Sequence, residues 1–168
     1  AVAPWGMASG VWNPDDLEAI EVPTFYLSGS VDTVAGYESG TRAIFENATR
    51  SDRYLLTYVN AGHNAGAPIP LPVEILSDEE QIGASHYTDP VWDSVRMNNI
   101  MDHFATAFFD YHLKDQTERL AYLELVPDAQ DGVYSVEEER PTSAHTYWKG
   151  FSEGTAQGLL LEHLAPAD

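Results

Sequence analysis

The sequence of 168 residues contains no cysteine, and its lysines and arginines together number only eight. Without cysteine, the chain can form no disulfide, no cysteine-ligated zinc site and no thiol nucleophile. It also lacks any apolar run near the roughly eighteen residues that a membrane-spanning helix needs. No basic segment leads into an apolar one at the start, so no signal peptide is visible.

Acidic residues are the strongest compositional signal. Aspartate and glutamate number 27, which gives a formal net charge of −19. A surface of this charge repels the phosphates of nucleic acids and the head groups of anionic lipids. We therefore expect a soluble protein that binds neither nucleic acid nor membrane. The chain length and the 43% of hydrophobic residues are typical of one globular domain, residues 1–168.

The stretch at about 21–60 predicts a strand, a helix and a second strand. The first strand lies in "EVPTFYLSGS", and the second is "RYLLTYV" at 53–59, whose nearly continuous apolar residues suit a strand covered on both faces in a parallel sheet. Four apolar residues at helical spacing predict a helix at about 36–49: Tyr37, Ile44, Phe45 and Ala48. This βαβ unit predicts an α/β fold with parallel strands and flanking helices.

A loop and a long helix are predicted next. Residues 64–88 are expected to form a loop, because their prolines oppose regular structure. The helix is predicted at about 90–114, with Asp89 as its N-cap and Pro90 at the first helical position. Its apolar side chains recur every three or four residues: Met97, Ile100, Met101, Phe104, Phe108 and Tyr111.

The tail, residues 115–168, is expected to be extended. Residues 119–126 suit either a strand or a short helix, and "YWKGF" at 147–151 suggests an aromatic anchor. Only two strands are then left for the sheet, which is marginal and leaves an apolar edge open. We therefore expect this edge to be covered by self-association into a homo-oligomer or by a complementing chain.

Two polar residues follow the two predicted strands. Asp32 lies in "LSGSVDTVAGYE" after the first strand, and His63 lies in "NAGHNAG" after the second. Ligands bind at the carboxyl ends of parallel strands, which lie about 4.8 Å apart, so the carboxylate can reach the imidazole. Such an aspartate fixes the tautomer of the histidine and stabilises its protonated form. Alone, Asp32 suits a helix cap and His63 a surface turn, but their joint position favours a catalytic pair.

Five segments together resemble the carboxyl-terminal half of α/β-hydrolases, and most of all the dienelactone-hydrolase-like bacterial proteins: "AVAPWG", "VPTFYLSGSVD", "YLLTYVNAGHN", "MDHFATAFFDYHLK" and "YWKGF". The resemblance covers nearly the whole chain. It implies a partial α/β-hydrolase fold in which Asp32 is the triad acid and His63 the triad base. The helix at 90–114 would close the fold, and "AVAPW" would end the preceding strand. The implied activity is hydrolysis of an ester or related acyl bond in a small-molecule substrate, without a cofactor.

The sequence lacks the nucleophile of such an enzyme at its usual place ahead of the acid. These enzymes carry their serine on a G-x-S-x-G turn upstream of the acid, and no such motif precedes Asp32. The segment "GASHY" has Tyr87 in place of the second glycine and follows the histidine, and "GFSEG" at 150–154 fits the pattern but also follows the histidine. Ser28 and Ser30 adjoin Asp32 but stand on no strand-to-helix turn.

We therefore expect the chain to be a fragment of a longer reading frame, or one half of a two-chain enzyme, and to be inactive alone. Fold relatives with an aspartate nucleophile open epoxides or remove halides, and the acid–histidine pair does not separate these chemistries. The alternative function is a non-catalytic interaction module that assembles through the open sheet edge.

No metal site is expected. His103 and Asp110 lie seven residues apart on one face of the long helix, but a metal needs three or four ligands and no further residue is spaced to join them. A solvated helix face is the favoured interpretation of this pair. His86 and His112 have no partner visible in the sequence, so surface or packing roles are expected for them.

Overall fold

The computed structural model describes residues 1–66, 71–77 and 83–167. Its helices are α1 (Pro14–Glu18), α2 (Ala43–Asn47), α3 (Val73–Leu76) and α4 (Ser94–Lys114). Its strands are β1 (Thr24–Gly29), β2 (Arg53–Tyr58), β3 (Val136–Glu137), β4 (Arg140–Pro141) and β5 (Leu159–Leu164). A π-helix at Tyr37–Arg42 leads into α2, and short 3-10 helices occupy Ala84–His86, Thr117–Tyr122 and Ala129–Asp131. This mixture of helices and strands is compatible with the predicted α/β class.

The central sheet has three strands in the order β1, β2, β5. β1 and β2 are parallel and in register from Thr24 opposite Arg53 to Gly29 opposite Tyr58, which confirms the predicted parallel pair. β5 pairs antiparallel with the other side of β2, with Leu159 opposite Tyr58. The predicted parallel strands are therefore found only in part, and the sheet is mixed because the end of the tail returns as an antiparallel strand. The chain itself covers this edge of β2, where no strand was expected.

The amino-terminal residues extend the sheet on the side of β1. The backbone N–H of Leu27 donates to the carbonyl of Ala1 at 3.0 Å, and the N–H of Ala3 donates to the carbonyl of Leu27 at 2.7 Å. Val2 and Leu27 form a parallel bridge. These three residues are too few for a full strand, but they run parallel to β1 along its outer edge.

The sheet has apolar side chains on both faces because successive residues of a strand point to opposite sides. On one face, Tyr54, Leu56 and Tyr58 pack into the larger hydrophobic cluster, which includes the apolar side of α4. On the other face, Leu55 packs with Tyr26 and with side chains of α1 and α2. All six residues of β2 are buried, as expected for the central strand of a covered sheet.

The long helix is confirmed, but its start lies later than predicted. α4 begins at Ser94, and the N-cap is Asp93, whose Oδ1 accepts the backbone N–H of Arg96 at 2.7 Å. The assignment of Asp89 as N-cap of this helix is therefore wrong, since its carboxylate accepts the backbone N–H groups of Val91 and Trp92 in the turn before the helix. The helix ends at Lys114, and its C-cap Asp115 has a left-handed backbone with φ of 54°.

Two other segments differ in detail from their predicted form. The helix predicted at about 36–49 is found as the π-helix at Tyr37–Arg42 followed by α2. Gly40 lies within the π-helix, where a Cβ atom at this position would lie only 2.1 Å from the carbonyl oxygen of Ala35. Of the two forms suggested for 119–126, a short helix is found, since Thr117–Tyr122 is a 3-10 helix.

The aromatic anchor at 147–151 is confirmed. Trp148 is fully buried, and its indole N–H donates to the carbonyl of Val126 at 2.8 Å. Tyr147 is also buried, and its hydroxyl accepts the backbone N–H of Ala156 at 3.0 Å. These contacts tie the tail to the core ahead of β5.

The predicted loop at 64–88 is described only in part, because 67–70 and 78–82 lie outside the described residues. The described part contains the four-residue helix α3 and the 3-10 helix Ala84–His86, so it is not wholly irregular. Among the described helices of the chain, none is both long enough and apolar enough to cross a membrane.

Candidate active site

The side chain of Asp32 is held in a fixed orientation just beyond the end of β1. It has no exposed surface. Its Oδ1 accepts the backbone N–H groups of Val34 at 2.8 Å and Ala35 at 3.0 Å. These bonds leave Oδ2 to face the neighbouring loop, where it lies 3.0 Å from Nδ1 of His63. The contact predicted from the two strand ends is therefore present.

The two loops that carry this pair approach each other at backbone level. The N–H of Val31 donates to the carbonyl of Ala61 at 3.0 Å, and the N–H of Asn60 donates to the hydroxyl of Ser30 at 2.8 Å. A Cβ atom on Gly29 would lie only 2.2 Å from the carbonyl oxygen of Ala61. Glycine at this position is thus what lets the two strand ends come close enough for the side chains to meet.

The loop that carries His63 is fixed on both sides of the histidine. The N–H of Gly62 donates to Oδ2 of Asp89 at 2.7 Å. The side-chain amide of Asn64 donates to the carbonyls of Ser85 at 2.6 Å and Thr88 at 3.0 Å. The histidine itself keeps 37% of its side-chain surface exposed, so its ring is anchored on one side and open on the other.

The geometry fixes how the imidazole can exchange protons. A carboxylate only accepts hydrogen bonds, so the Nδ1 atom of His63 carries the proton that faces Asp32. Nε2 then bears the lone pair in the neutral ring and can take up a proton from another group. The buried carboxylate stabilises the positive charge that this step creates. The pair can therefore act as a general base followed by a general acid.

Two of the three serines near the pair use their hydroxyls in other hydrogen bonds. Ser28 is fully buried, and its hydroxyl points to the carbonyl of Gly29. Ser30 accepts the N–H of Asn60. Ser85 lies in a 3-10 helix next to the histidine loop, but it stands on no strand-to-helix turn. None of the three has the setting of an activated serine nucleophile.

His103 and Asp110 do not form a metal site, and they do not form the solvated face that was predicted. Asp110 is buried, and its Oδ1 lies 2.7 Å from Nζ of Lys114 while its Oδ2 lies 3.3 Å from Nε of Arg119. The hydrogen bond from Lys114 is the main reason that the pKa of Asp110 is lowered. His103 packs against Phe104, and burial lowers its pKa. Within the described ranges, no group of three potential ligands is arranged to hold a metal ion.

A second aspartate–histidine contact lies at the opposite end of the sheet, and sequence reasoning missed it. Nε2 of His163 lies 2.7 Å from Oδ1 of Asp52, and Nε2 of His112 lies 3.7 Å from the other oxygen. The ring of His163 stacks on Tyr54 with centroids 4.2 Å apart. The cluster joins the start of β2 to the ends of α4 and β5. Its members are far apart in sequence, so no local motif marks it.

An apolar groove runs along the outer edge of β1. We call it the edge groove, and the residues used here to define it are Val2, Trp5, Trp12, Phe25, Met101 and Phe109. Its volume is about 800 Å³. Trp5 is 56% exposed, Phe109 53% and Trp12 47%, which is unusual for such large apolar side chains. Neither Asp32 nor His63 lines it.

Comparison with models of known protein families and with curated proteins finds no match for this chain.

Proposed function

We propose that this chain supplies the acid and the base of a hydrolase that cleaves an ester or related acyl bond in a small-molecule substrate. The proposal includes the carboxyl-terminal half of an α/β-hydrolase fold, with the dienelactone-hydrolase-like branch as the nearest resemblance. The observation that carries it is the 3.0 Å contact between Oδ2 of Asp32 and Nδ1 of His63, just beyond the ends of two adjacent parallel strands.

The proposed reaction uses the ring of His63 twice. As the nucleophile attacks the acyl carbon, Nε2 accepts its proton, and the imidazolium is stabilised by Asp32. Nε2 then donates this proton to the leaving group as the ester bond breaks. In the second half of the reaction, water attacks the acyl-enzyme and gives its proton to Nε2, which passes this proton to the nucleophile as the bond between the nucleophile and the acyl carbon breaks. The nucleophile comes from upstream sequence or from a partner chain, because no G-x-S-x-G motif precedes Asp32 in this sequence. The match "GFSEG" at 150–154 follows both Asp32 and His63 and stands on no strand-to-helix turn.

The coding sequence immediately upstream of the Ala1 codon tests this proposal. A strand followed by G-x-S-x-G in the same frame supports it, and the joined protein is then assayed with an activated ester. Asp32→Asn is expected to lower turnover by about 10⁴-fold, by analogy with the serine-protease triad, and His63→Ala by a similar factor.

Asp52→Asn is the matched control, since it alters an aspartate–histidine contact at the other end of the sheet. It should leave turnover near the wild-type value. Undiminished ester hydrolysis in Asp32→Asn and His63→Ala would refute the assignment of the pair.

A second candidate function is an interaction module that assembles through the sheet edge beside β1. The edge groove favours it, because parallel strands are normally covered on both faces and at the edge by further chain. In this case the chain forms a homo-oligomer or binds a complementing chain without turnover. A start codon and ribosome-binding site directly upstream of Ala1 would favour this candidate over the hydrolase.

Two substitutions on α4 test the role of the edge groove. Phe109 lines the groove, whereas Leu113, which is 74% exposed, lies one turn further along the same helix outside it. If the chain associates through the groove, Phe109→Ser should shift the mass measured by sedimentation towards the monomer, and Leu113→Ser should not. Equal masses for both variants and the wild type would exclude the groove as the contact surface.

A further inference from the structure

We propose that Asp89 is a positioning residue for His63, although it was predicted to be the cap of the long helix. It lies between the 3-10 helix at Ala84–His86 and the start of α4. Each of its two carboxylate oxygens has a different task. Oδ1 accepts the backbone N–H groups of Val91 and Trp92, both at 2.9 Å. Oδ2 accepts the N–H of Gly62 at 2.7 Å, and Gly62 directly precedes the histidine.

The hydrogen bond from the N–H of Gly62 to Asp89 is charge-assisted. A charged acceptor shortens and strengthens a backbone hydrogen bond, and the 2.7 Å distance is at the short end of the range for N–H to oxygen. The site is partly buried, so water replaces this bond less easily than it would at an open surface. The close fit leaves room for little more than a methyl group, since a Cβ atom on Gly62 would lie 3.5 Å from Oδ2.

The segment that contains Asp89 is itself anchored to the sheet. Trp92 is buried, and its indole N–H donates to the carbonyl of Val59, just beyond β2, at 2.8 Å. Its ring also packs edge-on against Tyr58. Asp89 therefore connects a segment that is anchored to the end of β2 with the backbone of the histidine loop.

These anchors leave the histidine little freedom to turn away from Asp32. Gly62 is tied to Asp89 on one side of His63, and Asn64 is tied to the carbonyls of Ser85 and Thr88 on the other. The Asp32 carboxylate is fixed separately by Val34 and Ala35. Since a glycine next to the histidine would otherwise loosen this backbone, the bond from Asp89 offsets that flexibility. The functional meaning of this inference rests on the proposed role of His63, whereas its structural part does not.

The experiment uses the full chain and nuclear magnetic resonance of two protons, the Gly62 amide and the Nδ1 proton of His63. In Asp89→Ala, the Gly62 amide should exchange with solvent about ten- to hundredfold faster than in the wild type, which is the factor implied by loss of a hydrogen bond to a charged group. The Nδ1 proton of His63 should broaden or disappear. Asp89→Asn, with a single acceptor oxygen, should give a smaller change in both signals.

Asp93→Ala is the matched control. It removes a carboxylate of the same charge that caps α4 through Arg96 and that, among the described residues, makes no hydrogen bond to the histidine loop. The control should leave both proton signals at their wild-type values. If both proton signals of Asp89→Ala match those of Asp93→Ala, Asp89 only caps a turn and the inference fails. Should Asp89→Ala not fold, Asp89→Asn is compared with Asp93→Ala in the same way.

The variant Asp32→Asn separates this inference from the proposed function. It should perturb the Nδ1 proton of His63 but not the exchange of the Gly62 amide. A Nδ1 proton that is unchanged in Asp32→Asn would remove the basis of the proposed hydrolase, while the Gly62 amide would still report whether Asp89 holds the loop.

Discussion

Replacing Gly29 by alanine should damage the fold and the candidate site together. The added Cβ atom would lie 2.2 Å from the carbonyl oxygen of Ala61 and 2.3 Å from that of Gly62, whereas ordinary contacts begin at 3.4 Å. Both obstacles are backbone atoms, so no side chain can rotate away. The two loops must therefore separate by about 1.2 Å, the difference between 2.2 and 3.4 Å.

The size of the effect follows from what this separation breaks. Overpacking in a well-packed region costs about 1–3 kcal/mol. The hydrogen bond from Val31 to Ala61, now 3.0 Å long, would be lost at a net cost of about 1 kcal/mol. We expect Gly29→Ala to lower the free energy of unfolding by about 2–4 kcal/mol. The distance between Asp32 and His63 should grow beyond hydrogen-bonding range.

Urea denaturation followed by tryptophan fluorescence measures the first effect, and the Nδ1 proton of His63 reports the second. Gly62→Ala is the control, because its Cβ atom would meet only Asp89, at an ordinary distance of 3.5 Å. It should change the free energy of unfolding by less than about 1 kcal/mol. Wild-type stability together with an intact Nδ1 signal in Gly29→Ala would show that the close approach of the two loops does not exist in solution.

Two further changes test the core and its pH dependence. Trp148→Ala should lower the free energy of unfolding, measured by urea denaturation, by about 3–5 kcal/mol, because it empties a fully buried site and removes the hydrogen bond to Val126. A loss below about 1 kcal/mol would show that the tail is not anchored at Trp148. Burial, the largest influence, lowers the pKa of His112 below 6.5, so the folded protein binds fewer protons than the unfolded chain and loses stability as pH falls from about 6.5 towards the folded-state pKa. His112→Phe should reduce this loss when urea midpoints are compared at pH 7 and pH 5, and an unchanged pH dependence would contradict the reasoning.

The parts of the fold that the sequence predicts are those with strong local signals. β2 is a continuous apolar run and α4 a long amphipathic stretch, so both are recognisable without knowledge of their neighbours. β5 was missed because a strand of six residues at the end of a tail has little periodicity, and its partner β2 lies about a hundred residues earlier. The start of α4 was misplaced because Asp89 and Asp93 are both suitable caps, and a distant partner, Gly62, decides between their roles.

The candidate site could be predicted only at the level of the pair. The topology of two parallel strands brings Asp32 and His63 to one edge, and this follows from the sequence order alone. The residues that hold the pair in place do not follow from it. The fit of Gly29 against Ala61 depends on how closely two loops approach, and the role of Asp89 depends on a backbone N–H that any residue provides.

The contacts Asp32–His63 and Asp52–His163 differ in which ring nitrogen faces the carboxylate, and this difference bears on their roles. His163 uses Nε2, the nitrogen at the tip of the ring, so its tip is occupied by Asp52 while Tyr54 covers one face. Its ring fastens β5 to the start of β2. His63 uses Nδ1, the nitrogen nearer the backbone, so that Nε2 has no hydrogen-bond partner among the described residues and can exchange a proton. The two histidine side chains are similarly exposed, at 37% for His63 and 35% for His163, but the side chain of Asp32 is fully buried whereas that of Asp52 is 26% exposed. The hydrolase proposal rests on Asp32 and His63 because this pair combines a buried carboxylate with a contact made through Nδ1.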